Sequence, residues 1–236
     1  LNSRHSVGNI LEEPLLIHGV RNSRERRQKV AKILDTVGLP KDSVDRFPFE
    51  FSGGMLQRAI IAMSMACDPT LLVADEPTTA LDVTIQAQTL ELMHELQKDL
   101  GMSIILITHD LGVIARMAHD VAVMYAGQVV ESGPVDDIFY RSSHPYTLGL
   151  RHAMPSNIEG RQKKLEPIDG SPPDLFKPPK GCGYYARCPY AMRVCENQIP
   201  EEFTISEGHF ARCWLQHATA PKVESELYQI GHTENA

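Results

Sequence analysis

The sequence predicts an α/β fold with a parallel-sheet core, a helical subdomain and a loop-rich C-terminal extension that carries most of the cysteines. Two short apolar runs, LLVA and SIILI, are separated by a long amphipathic segment, and this strand–helix–strand order is typical of a mainly parallel sheet. Proline and glycine become frequent after about residue 142, which indicates a separate appendage. We therefore expect three regions: 1–67 helical, 68–140 the α/β core and 141–236 the extension.

The first region is predicted to form helices. Apolar residues recur at helical spacing from Val30 to Val37, and Gly38 ends that helix. Ser52 is placed to cap a second, more apolar helix that runs from about Met55 to Cys67. We interpret Cys67 as a buried core thiol.

The middle region places polar residues at the ends of apolar strands. One strand ends at Asp75 and Glu76, and the next ends just before His109. Between them, Asp82 caps the amphipathic helix. Residues 121–133 are predicted to form a strand, a glycine turn and a second strand. Because ligands bind at the carboxyl ends of parallel strands, Asp75, Glu76 and His109 are candidate site residues.

Each of these motifs has a chemical and a plain structural interpretation. The two glycines after Ser52 let a ligand approach the backbone, and amides at a helix N-terminus bind anions. The alternative there is a simple helix cap. Asp75 can hold Mg²⁺ through water beside nucleotide phosphates, and Glu76 can orient or deprotonate an attacking water. The alternative is an acidic surface loop. His109 can donate to a terminal phosphate, or it is merely structural.

The four motifs SGG, LLVADE, ALD and THD occur in this order and at close spacing. Together they resemble the signature, Walker B, D-loop and switch-histidine motifs in the C-terminal half of an ABC-type ATPase. The resemblance runs from about Phe47 to Gly133. It implies that Glu76 polarises the attacking water, that Asp75 supports Mg²⁺ and that His109 contacts the γ-phosphate of ATP.

In such ATPases two subunits sandwich two nucleotides, so residues of one subunit complete the site of the other. The resemblance implies that Ser52, Gly53 and Gly54 bind the γ-phosphate of ATP held by a partner subunit. Met55 stands where many of these proteins have Gln. This change removes one side-chain amide from the motif and is expected to tune the site. Asp82 is expected to cross the dimer interface.

A closer resemblance is to the ATPases of oligopeptide and dipeptide importers. It rests on FSGGM, on ADEPTTALDVTIQAQ, on His144-Pro145-Tyr146 and on the cysteine spacing C-x5-C-x6-C-x17-C. It implies an energy-coupling subunit that uses ATP to move transmembrane permease subunits. We expect it to pair with a second, different ATPase subunit and to be served by an extracytoplasmic peptide-binding protein. Such a subunit is peripheral and lies on the cytoplasmic face of the inner membrane.

Other interpretations stay open. They are an importer of another solute such as nickel, a non-transport ABC protein acting on nucleic acid, and a non-functional remnant. The net charge of −7, from 23 basic and 30 acidic residues, argues against a nucleic-acid partner. The sequence contains no apolar run of about 18 residues, so no membrane-spanning helix is predicted.

The phosphate-binding pattern G-x4-G-K-[ST] does not occur in the 236 residues. Position 1 is Leu rather than Met. We therefore expect the chain to be the C-terminal part of a longer ATPase. Alone, it is expected to expose core surface and not to hydrolyse ATP, because nothing holds the β- and γ-phosphates within the same chain.

Four of the five cysteines cluster in the last quarter of the chain and are predicted to form a metal site. Their spacings are wider than the C-x2-C turns of zinc sites, which favours an iron–sulfur cluster. The peptide-importer resemblance points to a [4Fe–4S] cluster as well. Zinc is one alternative, and free or disulfide-linked thiols are another. Tyr184, Tyr185 and Trp214 are expected to pack around the site. The candidate ligands are Cys182, Cys188, Cys195 and Cys213.

Overall fold

The computed structural model describes residues 1–79, 81–154 and 167–229. Contacts among residues group the chain into two units, Leu1–Asp110 and Leu111–Ala236. The predicted boundaries after residues 67 and 140 stay predictions. Ala80, the first residue of the ALD motif, lies outside the described residues.

Helices form the first half of the first unit. They are α1 (Val7–Ile17), α2 (Ser23–Thr36) and α3 (Gly53–Met65), with two short 3₁₀ helices at Lys41–Asp45 and Pro48–Glu50. The three α-helices pack on one another and bury apolar side chains such as Leu11, Leu34 and Ala62. The helix predicted around 30–37 and the helix capped by Ser52 are both present.

A small parallel sheet forms the second half of this unit. Strand β1 (Leu71–Asp75) is followed by helix α4 (Val83–Leu100) and strand β2 (Ser103–Ile107). Gly101, at φ 64°, ends α4 in the left-handed conformation that glycine adopts without strain. The register aligns Leu71 with Ser103 and Asp75 with Ile107. The carboxyl ends of the two strands therefore meet at one edge.

One face of this two-stranded sheet is apolar and exposed. Val73 and Ile105, which are register partners, keep 57% and 50% of their surface accessible. Leu71 and Ile107 on the same face are also about half exposed, at 48% and 47%. Parallel strands are usually covered on both faces.

The second unit contains a mixed set of short elements. They are α5 (Leu111–Met117), β3 (Asp120–Tyr125), β4 (Gln128–Pro134), α6 (Val135–Tyr140), α7 (Pro145–His152), α8 (Arg193–Asn197), β5 (Phe203–Ser206) and β6 (His209–Ala211), with 3₁₀ turns at Tyr185–Arg187 and Trp214–Gln216. No described helix has the length and apolar character needed to cross a membrane.

The sheet of the second unit has the order β3-β4-β6-β5 and is antiparallel throughout. The predicted strand–turn–strand pair is present as β3 and β4. Ala126 and Gly127 join the two strands with positive φ at both residues, 50° and 78°, which suits a tight hairpin. A two-residue turn joins antiparallel neighbours, which agrees with the register of β3 and β4.

A buried polar cluster lies beside this sheet. The Glu131 carboxylate on β4 accepts hydrogen bonds from the backbone N–H groups of Ser143, at 2.6 Å, and His144, at 3.0 Å. His209 Nε2 on β6 lies 2.9 Å from the same carboxylate. The side chains of Glu131 and His209 are both 0% exposed. The cluster therefore fixes the chain segment before α7 against two strands.

Candidate functional site

Glu76 follows β1 and is held by two side chains. Its Oε1 lies 2.7 Å from His109 Nδ1, and its Oε2 accepts a hydrogen bond of 2.6 Å from Thr79 Oγ1. The Glu76 backbone N–H donates to the Ile107 carbonyl, which continues the β1–β2 ladder by one residue. Glu76 itself has φ 48°, a conformation that a non-glycine residue keeps only where its surroundings hold it. The carboxylate is therefore fixed at the sheet edge.

The pKa values of this pair move in opposite directions. The hydrogen bond from Thr79, followed by that from His109, lowers the pKa of Glu76. The hydrogen bond to Glu76 raises the pKa of His109. Glu76 therefore stays ionised to lower pH, and His109 keeps its proton to higher pH. Both side chains are accessible to solvent, at 37% and 82%, so a ligand can reach them.

Asp75 is the last residue of β1 and is exposed. Among the described residues, no three His, Cys, Asp or Glu side chains are arranged to hold a metal ion by themselves. Mg²⁺ at nucleotide sites takes only one or two protein carboxylates, because phosphates and waters supply the other ligands. Asp75 therefore suits a magnesium ion that arrives with a nucleotide.

The SGG motif begins α3. Ser52 is the N-cap, and its hydroxyl oxygen accepts a hydrogen bond of 3.4 Å from the Met55 backbone N–H. The two glycines differ in their surroundings. A Cβ at Gly53 would meet nothing within 4 Å, whereas one at Gly54 would meet the Ile85 side chain at 3.0 Å. Gly53 is therefore open to a ligand, and Gly54 allows α3 to pack against α4.

The candidate residues of the first unit fall into two groups. Glu76 and His109 meet directly, whereas Ser52 makes no hydrogen bond to either of them within the described ranges. One bond ties α3 to the loop after Glu76, from Gln57 Nε2 to the Pro77 carbonyl at 2.7 Å. Asp82 caps α4, as its spacing predicted, by accepting from the backbone of Thr84 and Ile85 at 3.1 and 3.0 Å.

The four clustered cysteines line one small cavity of the second unit. Tyr184, Tyr185 and Trp214 also line it, as expected, together with His144 and Pro145. Backbone N–H groups donate to all four sulfurs: Tyr184 and Tyr185 to Cys182, Tyr190 to Cys188, Met192 to Cys195 and Leu215 to Cys213. The sequence separates these sulfurs widely, and the fold brings them to one place.

Burial controls the ionisation of the groups around this cavity. Burial raises the pKa of the thiols of Cys182, Cys188 and Cys213. The pKa of Cys188 is raised to about 12, and that of Cys213 is raised more than that of Cys188. Burial also lowers the pKa of His144 to about 3, so its ring is neutral. Thiols in such surroundings are protonated unless a cation replaces the proton.

Known families match two parts of the chain. Residues 2–79 match the ABC transporter family, and residues 130–195 match the family described as the oligopeptide/dipeptide transporter C-terminal region. The chain belongs to the ABC transporter ATP-binding family.

Solved ABC proteins show the same fold over 57% of the chain. They include a dimer of the cassette MJ0796 bound to ADP and Pi, at 28% identity and TM-score 0.50 over 59% of that protein. Another is cbiO1 from Clostridium perfringens, part of the cbiONQ complex, at 29% identity and TM-score 0.52 over 53% of that protein.

Similar ABC ATP-binding proteins are named for peptide transport. The oligopeptide transport ATP-binding protein OppD of Bacillus subtilis is 51% identical over 226 residues, which are 95% of this chain and 63% of that protein. The dipeptide transport ATP-binding protein DppD of the same organism is 50% identical over 222 residues, 93% of this chain and 66% of that protein. The chain thus spans slightly less than two thirds of the length of these relatives.

Two residues of this ABC-type chain were not identified from the sequence. Thr79 donates a hydrogen bond that holds the Glu76 carboxylate. In the sequence, only its hydroxyl group and its position three residues after Glu76 indicate this contact. His144 lines the cysteine cavity, although the sequence had singled it out only as part of the His-Pro-Tyr resemblance. Neither contact follows from composition or periodicity, because each depends on how loops fold back.

Proposed function

We propose that the protein containing this chain is the energy-coupling ATPase of a peptide importer. The observation that carries the proposal is the Glu76 carboxylate, held by His109 and Thr79 at the end of β1 in a chain of the ABC family. A fixed, ionised carboxylate that solvent can reach is suited to orient or deprotonate an attacking water. ATP with Mg²⁺ is the substrate that this site would take, with Asp75 next to the metal.

The remaining site residues are proposed to act across a dimer. Gly53 is unobstructed at the N-terminus of the 13-residue helix α3, where backbone amides and the helix dipole favour an anion. Ser52, Gly54 and Met55 complete this turn, which would bind the γ-phosphate of ATP held by a second ATPase subunit. Asp82, at the start of α4, would lie at the same interface.

The transported solute is proposed to be a peptide. This rests on the peptide-transport names of the similar proteins and on the match of residues 130–195 to the peptide-transporter C-terminal region. The partners would be a second, different ATPase subunit, transmembrane permease subunits and, indirectly, an extracytoplasmic peptide-binding protein. The ATPase would sit at the cytoplasmic face of the inner membrane, and nucleic acid would not be a partner.

Substrate-stimulated ATP hydrolysis tests this proposal. The complete protein would be assembled with its permease and binding protein in nanodiscs, and phosphate release would be followed with and without an oligopeptide. We expect stimulation by peptide and none by nickel at the same concentrations. Stimulation by nickel or another solute, with none by a peptide library, would assign the protein to a different importer class.

For the cysteine cavity, we propose a [4Fe–4S] cluster held by Cys182, Cys188, Cys195 and Cys213. Four thiols around one cavity, with backbone N–H donors to every sulfur, are the donor set on which this proposal rests. Zinc held by the same four thiols is the alternative. The described residues include no group of three or more His, Cys, Asp or Glu arranged to hold a metal ion, so the proposal rests on the number and shared cavity of the thiols. A bound cluster would cross-link the loop-rich extension and exchange one electron.

Metal analysis of the anaerobically purified protein checks the cluster. We expect about four iron and four sulfide per chain, with visible absorption that Cys188→Ser reduces strongly. Cys67→Ser is the matched control, because Cys67 lies in the other unit and does not line the cavity. Zinc without iron, or no metal in protein purified and reconstituted without oxygen, would contradict the proposal.

Thr79→Val is expected to slow ATP hydrolysis by the complete protein about tenfold, because it removes one hydrogen bond that orients Glu76. That bond is the main cause that lowers the pKa of Glu76. Its loss raises the pKa, so the acid limb of the pH–rate profile should move to higher pH. Thr79→Ser keeps the hydroxyl and should retain the wild-type profile. Identical profiles for the Val and Ser variants would show that Thr79 does not position Glu76.

A further inference from the structure

The turn that follows β1 brings Thr79 back to Glu76. The Thr79 backbone N–H donates to the Glu76 carbonyl at 3.1 Å, and the Thr79 hydroxyl donates to the Glu76 carboxylate at 2.6 Å. Residues 76–79 therefore form a four-residue turn with Pro77 at its second position, where proline is favoured. The orientation of the Glu76 carboxylate thus depends on the geometry of this turn.

One peptide group of the turn is not fixed by these two bonds. It joins Pro77 to Thr78, and the hydrogen bond that closes the turn spans this peptide without involving it. Turn types differ mainly in the direction of this central peptide. Gln57 Nε2 donates to its carbonyl, which belongs to Pro77, at 2.7 Å. A side chain from another element, helix α3, therefore sets the direction of the central peptide.

Helix α3 is a fixed support for this donor. The residue after Gln57 is Arg58, which donates to the Val37 carbonyl just after α2, at 2.6 Å. At Gly54 the helix lies so close to α4 that an added Cβ would meet the Ile85 side chain at 3.0 Å. The helix is thus held on two sides, and the bond from Gln57 holds the turn against it.

We propose that Gln57 is a positioning residue for ATP hydrolysis: by fixing the peptide between Pro77 and Thr78, it keeps Thr79 in place to orient the Glu76 carboxylate. The inference rests on the proposed function, because it needs Glu76 to act on the attacking water. The role is indirect, since Gln57 takes no proton and binds no phosphate. Helix α3 would then serve the partner subunit's nucleotide at its N-terminus and its own subunit's carboxylate through Gln57.

Gln57→Met removes the donor and keeps an unbranched side chain of similar length. In the complete protein assembled with its permease, phosphate release at saturating ATP is expected to be about two- to tenfold slower, because one orienting hydrogen bond is lost. The KM for ATP should not change. Gln97→Met is the matched control and should keep the wild-type rate. Gln97 is a half-buried glutamine on α4 that makes no hydrogen bond among the described residues.

A double-mutant cycle tests the route through Thr79. If Gln57 acts by placing Thr79, the double variant Gln57→Met/Thr79→Val should be no slower than Thr79→Val alone, whereas independent effects would multiply. Gln57→Asn takes the place of the Met variant if that variant does not assemble. Its side chain stays polar, but the amide is one methylene too short to keep the bond, so the same loss is expected.

The possible results separate this inference from the proposed function. A wild-type rate for Gln57→Met or Gln57→Asn, or effects that multiply in the double variant, would overturn the role of Gln57 and leave Glu76 as the general base. Hydrolysis by the wild-type complex that survives Glu76→Gln would overturn the proposed catalytic site, and this inference with it.

Discussion

Replacing Glu76 with glutamine is expected to slow ATP hydrolysis by the complete, assembled protein about 10²- to 10⁴-fold. Glutamine keeps the size of the side chain. Its amide oxygen can accept from His109 while its amide N–H donates to the Thr79 hydroxyl oxygen, so the local structure should persist. It cannot take a proton from water, which is the step assigned to the carboxylate. Phosphate release at saturating ATP and Mg²⁺ measures the effect, and ATP binding should change little.

The matched control is Glu95→Gln. Glu95 is an exposed acid on α4, within the same unit, that makes no ion pair or hydrogen bond among the described residues. We expect its rate to equal that of the wild type. If Glu76→Gln retained more than a tenth of the wild-type rate, Glu76 would not be the general base and the mechanism would need another one.

Replacing Glu131 with alanine is expected to lower the free energy of unfolding of the second unit by about 3–5 kcal/mol. The substitution leaves two backbone N–H groups and His209 Nε2 buried without their acceptor. Buried polar groups that lose their partners carry the full cost of desolvation. Denaturant unfolding followed by the fluorescence of Trp214, which is the single tryptophan of the chain, reports on this unit.

Glu207→Ala provides the comparison for this prediction. Glu207 is exposed in the turn between β5 and β6, close in sequence to His209. Such a surface change should alter stability by no more than about 0.5 kcal/mol. A Glu131→Ala variant within about 1 kcal/mol of Glu207→Ala would mean that the buried cluster does not hold the segment before α7.

The site in the first unit was largely predictable because its residues sit at the ends of strands. Asp75, Glu76 and His109 were placed at one edge by the apolar runs before them, and the parallel register of β1 and β2 confirms that placement for the strands. Ser52 was recognised as a helix cap from its residue type and position. These inferences use local patterns, which the fold preserves.

The polar cluster of the second unit was not predictable in this way. Glu131 and His209 are 78 residues apart in the chain, and their contact depends on β4 pairing with β6. Strand β6 has only three residues, which is too short for an alternating pattern to indicate it. The clustering of the four cysteines was anticipated because cysteine is rare and metal sites gather it. His144 carries no such signal.

Peptide uptake tests the central claim most directly. The complete protein, its partner ATPase and the permease would be reconstituted in proteoliposomes with the binding protein, and accumulation of a labelled oligopeptide would be followed with ATP supplied on the ATPase side. We predict uptake that requires ATP hydrolysis and is abolished by Glu76→Gln but not by Glu95→Gln. Uptake that persists with Glu76→Gln would contradict the assigned site, and ATP hydrolysis without uptake of any peptide would contradict the proposed importer.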